Sequence, residues 1–206
     1  MRTSIIFIFI GILLTVSLVN AQSQSPTESI RKPVEQVLAI LNDPQYQSED
    51  KKAAQRERLW ETTLSMFDFT EIAKRTLARN WLNFNPEQRK AFRDTFARLL
   101  TTTYTNKIQG NYSNEKVVFT DEEVINETKA MVKSNVLRQD VEIPVNYSLK
   151  RGKEGWRIYD VKVEGISLVQ NYRTQFNKYL KEKTPDQLIE ELDRKVAEQK
   201  SAGTQQ

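Results

Sequence analysis

The feature that most constrains this chain is a change of hydrophobic period, made twice. Apolar residues recur at helical spacing between positions 30 and 108, alternate between 116 and 163, and return to helical spacing between 168 and 196. A helix repeats every 3.6 residues and a strand every two, so the order is helices, sheet, helices. That order defines an α+β fold: a curved antiparallel sheet whose one apolar face lies under a layer of helices. No repeat or low-complexity linker divides it, and a single domain is expected over residues 22–200.

Within the first helical region Ile30, Val34, Val37, Leu38 and Leu41 form a stripe that Asn42-Asp43-Pro44 closes. A second, charged helix is expected from about Glu49, with Trp60, Leu64 and Phe67 on one side. The period then breaks, and Asp68 or Thr70 suits the cap of a short helix carrying Ile72, Ala73 and Leu77. Asn85-Pro86-Glu87-Gln88 signals the start of a fourth helix, with Phe92, Phe96, Leu99, Leu100, Tyr104 and Ile108 on one face and Gly110-Asn111 as the stop. Strands are expected over 116–120, 130–137, 141–150 and 156–163, with the acidic run Asp121-Glu122-Glu123 in a polar turn. Pro144 marks a solvent side or a bulge, and the two-sided apolar pattern of 156–163 marks a more central strand. Leu168, Val169, Tyr172, Phe176, Tyr179 and Leu180 form the next helix. Thr184-Pro185-Asp186 starts the last, which is expected to fray from Glu198 into a disordered tail at 201–206.

At the amino terminus a positive start at Met1 and Arg2 precedes an apolar run over 5–19 and the sequence Val19-Asn20-Ala21. This is the pattern of a signal peptide over residues 1–21, cleaved after Ala21. A membrane anchor is the rival, but Gly11, Thr15 and Ser17 interrupt the run, which falls short of the ~20 residues a span needs. There is no histidine and no cysteine. Disulfides, Ser-His-Asp and Cys-His chemistry, and the usual zinc and haem sites are thereby excluded. The acidic run lacks the spacing of a calcium loop, and no glycine-rich phosphate motif is present, so neither a metal nor a cofactor is expected. The formal net charge is +4, with Lys and Arg interleaved with Asp and Glu, which gives no nucleic-acid footprint. Asp160, Glu164 and Arg173 suit a salt bridge between strand and helix, or a head-group or acid-base site. Acceptor patterns for glycosylation at Asn111, Asn126 and Asn146 matter only in a eukaryotic host.

Three stretches carry a resemblance. Residues 85–92, continuing through Phe96, Leu99, Leu100 and Tyr104 to Tyr112, resemble the central helix of the MlaC, or toluene-tolerance, family of periplasmic lipid carriers. Gly155-Trp156-Arg157-Ile158-Tyr159-Asp160-Val161-Lys162-Val163-Glu164-Gly165, followed by Asn171-Tyr172-Arg173, resembles its strand-to-helix signature. Phe67-Asp68-Phe69 with Ile72-Ala73-Lys74 is similar as well. The resemblance implies a nuclear-transport-factor-like sheet enclosing an apolar pocket for phospholipid acyl chains, in a non-enzymatic, monomeric protein of the periplasm. It further implies exchange between an outer-membrane lipoprotein complex and an inner-membrane MCE-protein ABC transporter complex, in maintenance of outer-membrane lipid asymmetry. A hopanoid-associated branch is an alternative.

On that reading the candidate pocket wall is Phe67, Phe69, Ile72, Leu77, Phe92, Phe96, Leu99, Leu100 and Tyr104 on helices, with Val145, Tyr147, Ile158, Val161 and Val163 on strands. Periodicity places each equally well in a filled core. Two other functions stand beside the carrier: an adaptor domain with an exposed apolar helix face, and a hydrolase or isomerase using a carboxylate of raised pKa.

Overall fold

Capping side chains set where most of the helices begin, the helix over Lys52–Leu64 excepted. The structure is a computed structural model that describes residues 24–202, so the expected signal peptide lies outside the described residues. Its elements are α1 (Pro26–Asn42), α2 (Lys52–Leu64), α3 (Phe69–Leu77), α4 (Pro86–Asn111), β1 (Lys116–Asn126), β2 (Lys129–Arg138), β3 (Val141–Gly152), β4 (Gly155–Val163), β5 (Ile166–Ser167), α5 (Leu168–Tyr179) and α6 (Pro185–Ala202). Asn85 Oδ1 accepts the Gln88 N–H at 2.8 Å while Gln88 Oε1 accepts the Asn85 N–H at 3.0 Å, the reciprocal box its sequence predicts. Asp68 caps α3 through the Glu71 N–H at 2.9 Å.

The five strands form one antiparallel meander in the order β1-β2-β3-β4-β5. In β3 the expected alternation holds: Val145, Tyr147 and Leu149 are buried, opposite Ser134, Val132 and Ala130 of β2. Pro144 lies within β3, but its carbonyl points to where β4 ends and accepts the Glu164 N–H at 3.0 Å. In a strand a residue's N and O face the same neighbour, so the missing donor falls beyond β4 and breaks no ladder bond. β4 is paired along both edges, as its two-sided pattern suggests: β3 on one side, β5 and the segment before α3 on the other.

That segment joins the two halves of the molecule. The Ile158 N–H donates to the Met66 carbonyl at 2.9 Å, and the Asp68 N–H donates to the Ile158 carbonyl at 2.8 Å. Met66 and Ile30 thereby cover the sheet core of Val132, Val145, Tyr147, Leu149 and Ile158. A separate helical core gathers Ile72, Leu77, Phe84, Phe92, Phe96, Leu99, Leu100, Val169, Phe176, Leu188 and Leu192. Phe92 sits at its centre, with ring centroids of Phe96, Phe176 and Phe84 at 5.4, 5.5 and 5.7 Å. Phe67 packs against both cores.

Four expectations change. The acidic run is not a turn: β1 continues through it to Asn126. β1 is an outermost strand whose second half is exposed, so its carboxylates stay hydrated, and they are engaged by Lys133 Nζ on Asp121 (2.9 Å) and the Thr27 N–H on Glu122 (2.7 Å). The turn moves to Glu127-Thr128, where Asn126 Oδ1 accepts the Thr128 N–H. α2 buries Gln55 and Leu59 and ends before Phe67, leaving Trp60 and Leu64 half-exposed. The apolar face of α4 is buried only as far as Leu100, because its second half meets polar partners: Gln109 reaches the Lys52 carbonyl and Gln55, and Asn106 the Gln199 carbonyl. That last contact and the pairing of Arg194 with Glu191 and Glu198 carry α6 past Glu198 to Ala202.

Thr101 Oγ1 on α4 is buried with no hydrogen-bond partner, a state that costs about 1–3 kcal/mol. Thr101→Val keeps the shape and removes the orphan hydroxyl. It is expected to raise stability by about 1 kcal/mol in urea unfolding, with the slope of the transition unchanged.

Candidate functional site

Where α2 stops burying its apolar side, a cleft opens. It has a volume of about 730 Å³ and lies among α2, the start of α3, α4 and the tip of the β3–β4 hairpin. Trp60 and Leu64 of α2, Phe67 and Phe69 at the start of α3, and Ala97 of α4 supply its apolar lining. The Phe67 and Phe69 rings lie 5.7 Å apart. Its charged lining is Arg93, Asp94 and Arg98 of α4, Asp68, and Lys150, Lys153, Glu154 and Arg157 of the hairpin. The hairpin turns tightly at Lys153-Glu154, and Gly155 closes it at φ +94°, a backbone conformation in which a side chain is strained.

Most of these charges are held in place. Glu71, one turn into α3, accepts Lys150 Nζ at 2.7 Å and Arg75 Nε at 2.8 Å, linking hairpin to helix. Burial alone pushes the Glu71 carboxyl up, but Lys150 and Arg75 outweigh it and hold it below the usual carboxylate range. Asp94 likewise resists burial because Arg93 and Lys90 hold it low. Arg98 binds Asp193 at 2.8 Å, and Arg157 pairs with Glu154. A second, shallower hollow of about 400 Å³ between α4 and α6 is lined by Glu87, Asp186, Glu190 and Asp193 with Gln88, Ala91 and Ile189.

Of the candidate wall residues, Phe67 and Phe69 line the cleft. Ile72, Leu77, Phe92, Phe96, Leu99 and Leu100 lie in the helical core, and Val145, Tyr147 and Ile158 in the sheet core with Val161 packed against it. Tyr104 and Val163 are exposed. Sequence reasoning missed the cleft's cations, for which interleaved charge gives no signal. It grouped Trp60 and Leu64 with Phe67, and that grouping survives at the cleft although the three share no helix.

Asp160, Glu164 and Arg173 do not form a cluster. Asp160 accepts Ser167 Oγ at 2.7 Å and the Val169 N–H at 3.0 Å, fastening β4 to the start of α5 without a salt bridge. Arg173 Nε donates to the Arg75 carbonyl at 2.8 Å, and Glu164 is exposed in a turn at φ 50°. For acid-base work a carboxylate of raised pKa is required, and Asp94 is shifted the other way. Burial, with Tyr104 beside it, pushes the Tyr172 hydroxyl up to about 12, so it stays protonated. Among the described residues no group of three or more His, Cys, Asp or Glu is arranged to hold a metal ion, and no helix is long and apolar enough to cross a membrane.

A curved, unclosed sheet, a helical layer and a cleft lined by both apolar and charged side chains define a single α+β domain. The chain belongs to the MlaC protein family, which matches residues 31–194. Its fold is similar to that of a phospholipid-binding protein from Ralstonia solanacearum, solved in complex with a phospholipid, with a TM-score of 0.72 and 24% identity over 85% of this chain and 98% of that one. No curated protein matches the chain in sequence.

The Glu71 network sets a pH dependence. Because its folded pKa is depressed below the ordinary 4.5, its stabilisation is present above that value and is lost as pH falls through the folded one. Glu71→Gln is expected to cost about 1–2 kcal/mol at pH 7. The gap from wild type should narrow in urea titrations carried below pH 4.

Proposed function

We propose that this chain is an exported, non-enzymatic lipid carrier that binds phospholipid acyl chains and moves lipid through the periplasm. The observation that carries this reading is the polarity of the cleft. Trp60, Leu64, Phe67 and Phe69 line one part and Arg93, Arg98, Lys150, Lys153 and Arg157 another, which suits a ligand apolar at one end and anionic at the other. A volume of about 730 Å³ falls within the ~300–1,000 Å³ of small-molecule sites. Family membership and the phospholipid bound by the Ralstonia protein support the same ligand class.

Phe67 is the pivot of the proposed path. It lines the cleft and packs against both cores, so displacing its ring opens the seam between the helical core and the sheet core. Acyl chains enter there, and the candidate wall residues become their surroundings. Each buried CH₂ is worth ~0.8 kcal/mol, so a sixteen-carbon chain left in water costs on the order of 12 kcal/mol, and diffusion without a carrier is slow. The exported chain acts as a monomer between an outer-membrane lipoprotein complex and an inner-membrane MCE-protein ABC transporter complex, in maintenance of outer-membrane lipid asymmetry.

Protein purified from a bacterial periplasm is expected to start at Gln22 and to carry co-purified phospholipid in native mass spectra. Phe67→Asp should lower the lipid-bound fraction at least fivefold, with the far-ultraviolet circular dichroism of the variant reporting whether it is folded. Wild-type protein that stays empty after incubation with phospholipid vesicles would overturn the carrier reading.

A further inference from the structure

The charged side of the cleft is unevenly compensated, and the imbalance falls at one place. Of the five cationic side chains that line it, Lys150 is held by Glu71 and Arg98 by Asp193, carboxylates outside the lining, and three carboxylates lie in the lining itself. Two of those carboxylates are spoken for: Asp68 Oδ1 accepts the Glu71 N–H, and Asp94 is shared by Arg93 and Lys90. Glu154 is the third and pairs with Arg157 at the hairpin tip. Beside it, Lys153 has no carboxylate within salt-bridge reach among the described residues. The tip is spacious as well, since a Cβ built on Gly152 or Gly155 meets no atom within 4 Å.

We propose that this hairpin tip is a subsite for an anionic phosphate head group, so that the protein favours lipids of net negative charge over zwitterionic ones. The inference rests on the carrier reading above and adds a choice among lipids to it. Lys153 supplies an unneutralised point charge, and the Arg157 guanidinium, 35% exposed, can exchange its bond to the 74%-exposed Glu154 for a phosphate oxygen. A phosphodiester with no cation of its own gains from both. In a choline lipid the attached ammonium offsets that gain.

The test uses the mature chain, incubated with vesicles of equal parts phosphatidylglycerol and phosphatidylcholine bearing matched acyl chains, with bound lipid identified by native mass spectrometry. Phosphatidylglycerol should exceed phosphatidylcholine by about three- to tenfold, the size expected of partly exposed charge pairs. The double variant Lys153→Glu, Arg157→Glu should bring the ratio to one or below, with far-ultraviolet circular dichroism reporting whether it is folded, and Lys153→Arg should keep the preference. Equal uptake of both lipids by wild type overturns the subsite and leaves the carrier standing. Uptake of neither overturns the carrier and the subsite with it. Inorganic phosphate separates the two sources of the anion: saturable amide shifts at residues 152–157 of lipid-free protein at millimolar phosphate, together with equal uptake of the two lipids, would assign the tip to free phosphate and overturn its role in lipid choice.

Discussion

The rest of the structure depends on two backbone hydrogen bonds, those that join Ile158 of β4 to Met66 and Asp68. They cover β4 on the edge away from β3, and so occupy polar groups that would otherwise face a helix layer unable to pair them. They also fix the start of α3, since the residue whose N–H reaches the sheet is the one whose carboxylate caps the helix. Sheet and helices therefore meet at one short segment. Phe67, between the two bonds, is placed against both cores and at the cleft as a consequence.

The two cores differ in how they are held. The helical core has an aromatic centre within an aliphatic surround, with Phe92, Phe96, Tyr172 and Phe176 in contact edge-on or offset, arrangements that favour one geometry over others of equal buried area. The sheet core is aliphatic around Tyr147 and is covered from above by Ile30 and Met66. Phe67 packs against both and joins them.

The cleft brings apolar and charged side chains together. Its apolar side chains come from α2, the start of α3 and Ala97 of α4, while its five cations come from α4 and the hairpin. The Glu71, Lys150 and Arg75 network holds hairpin and helix together.

What the sequence by itself determined was whatever depends on neighbours along the chain. The two period changes set the element order, Asn85-Pro86-Glu87-Gln88 and Asp68 set helix starts, and the alternation of Val145, Tyr147 and Leu149 set which face of β3 is buried. The family, too, was legible in residues 85–112 and 155–173, since those stretches bring a contiguous pattern. Tertiary structure decided the rest, because it depends on which distant residues meet. Asp121-Glu122-Glu123 reads as a turn until an outer strand gives its carboxylates both water and Lys133. Asp160 and Arg173 read as a pair until one is taken by the start of α5 and the other by the Arg75 carbonyl. The cleft is the clearest case: its lining comes from α2, α3, α4 and a hairpin some fifty residues further on, and no local pattern encodes a space between elements.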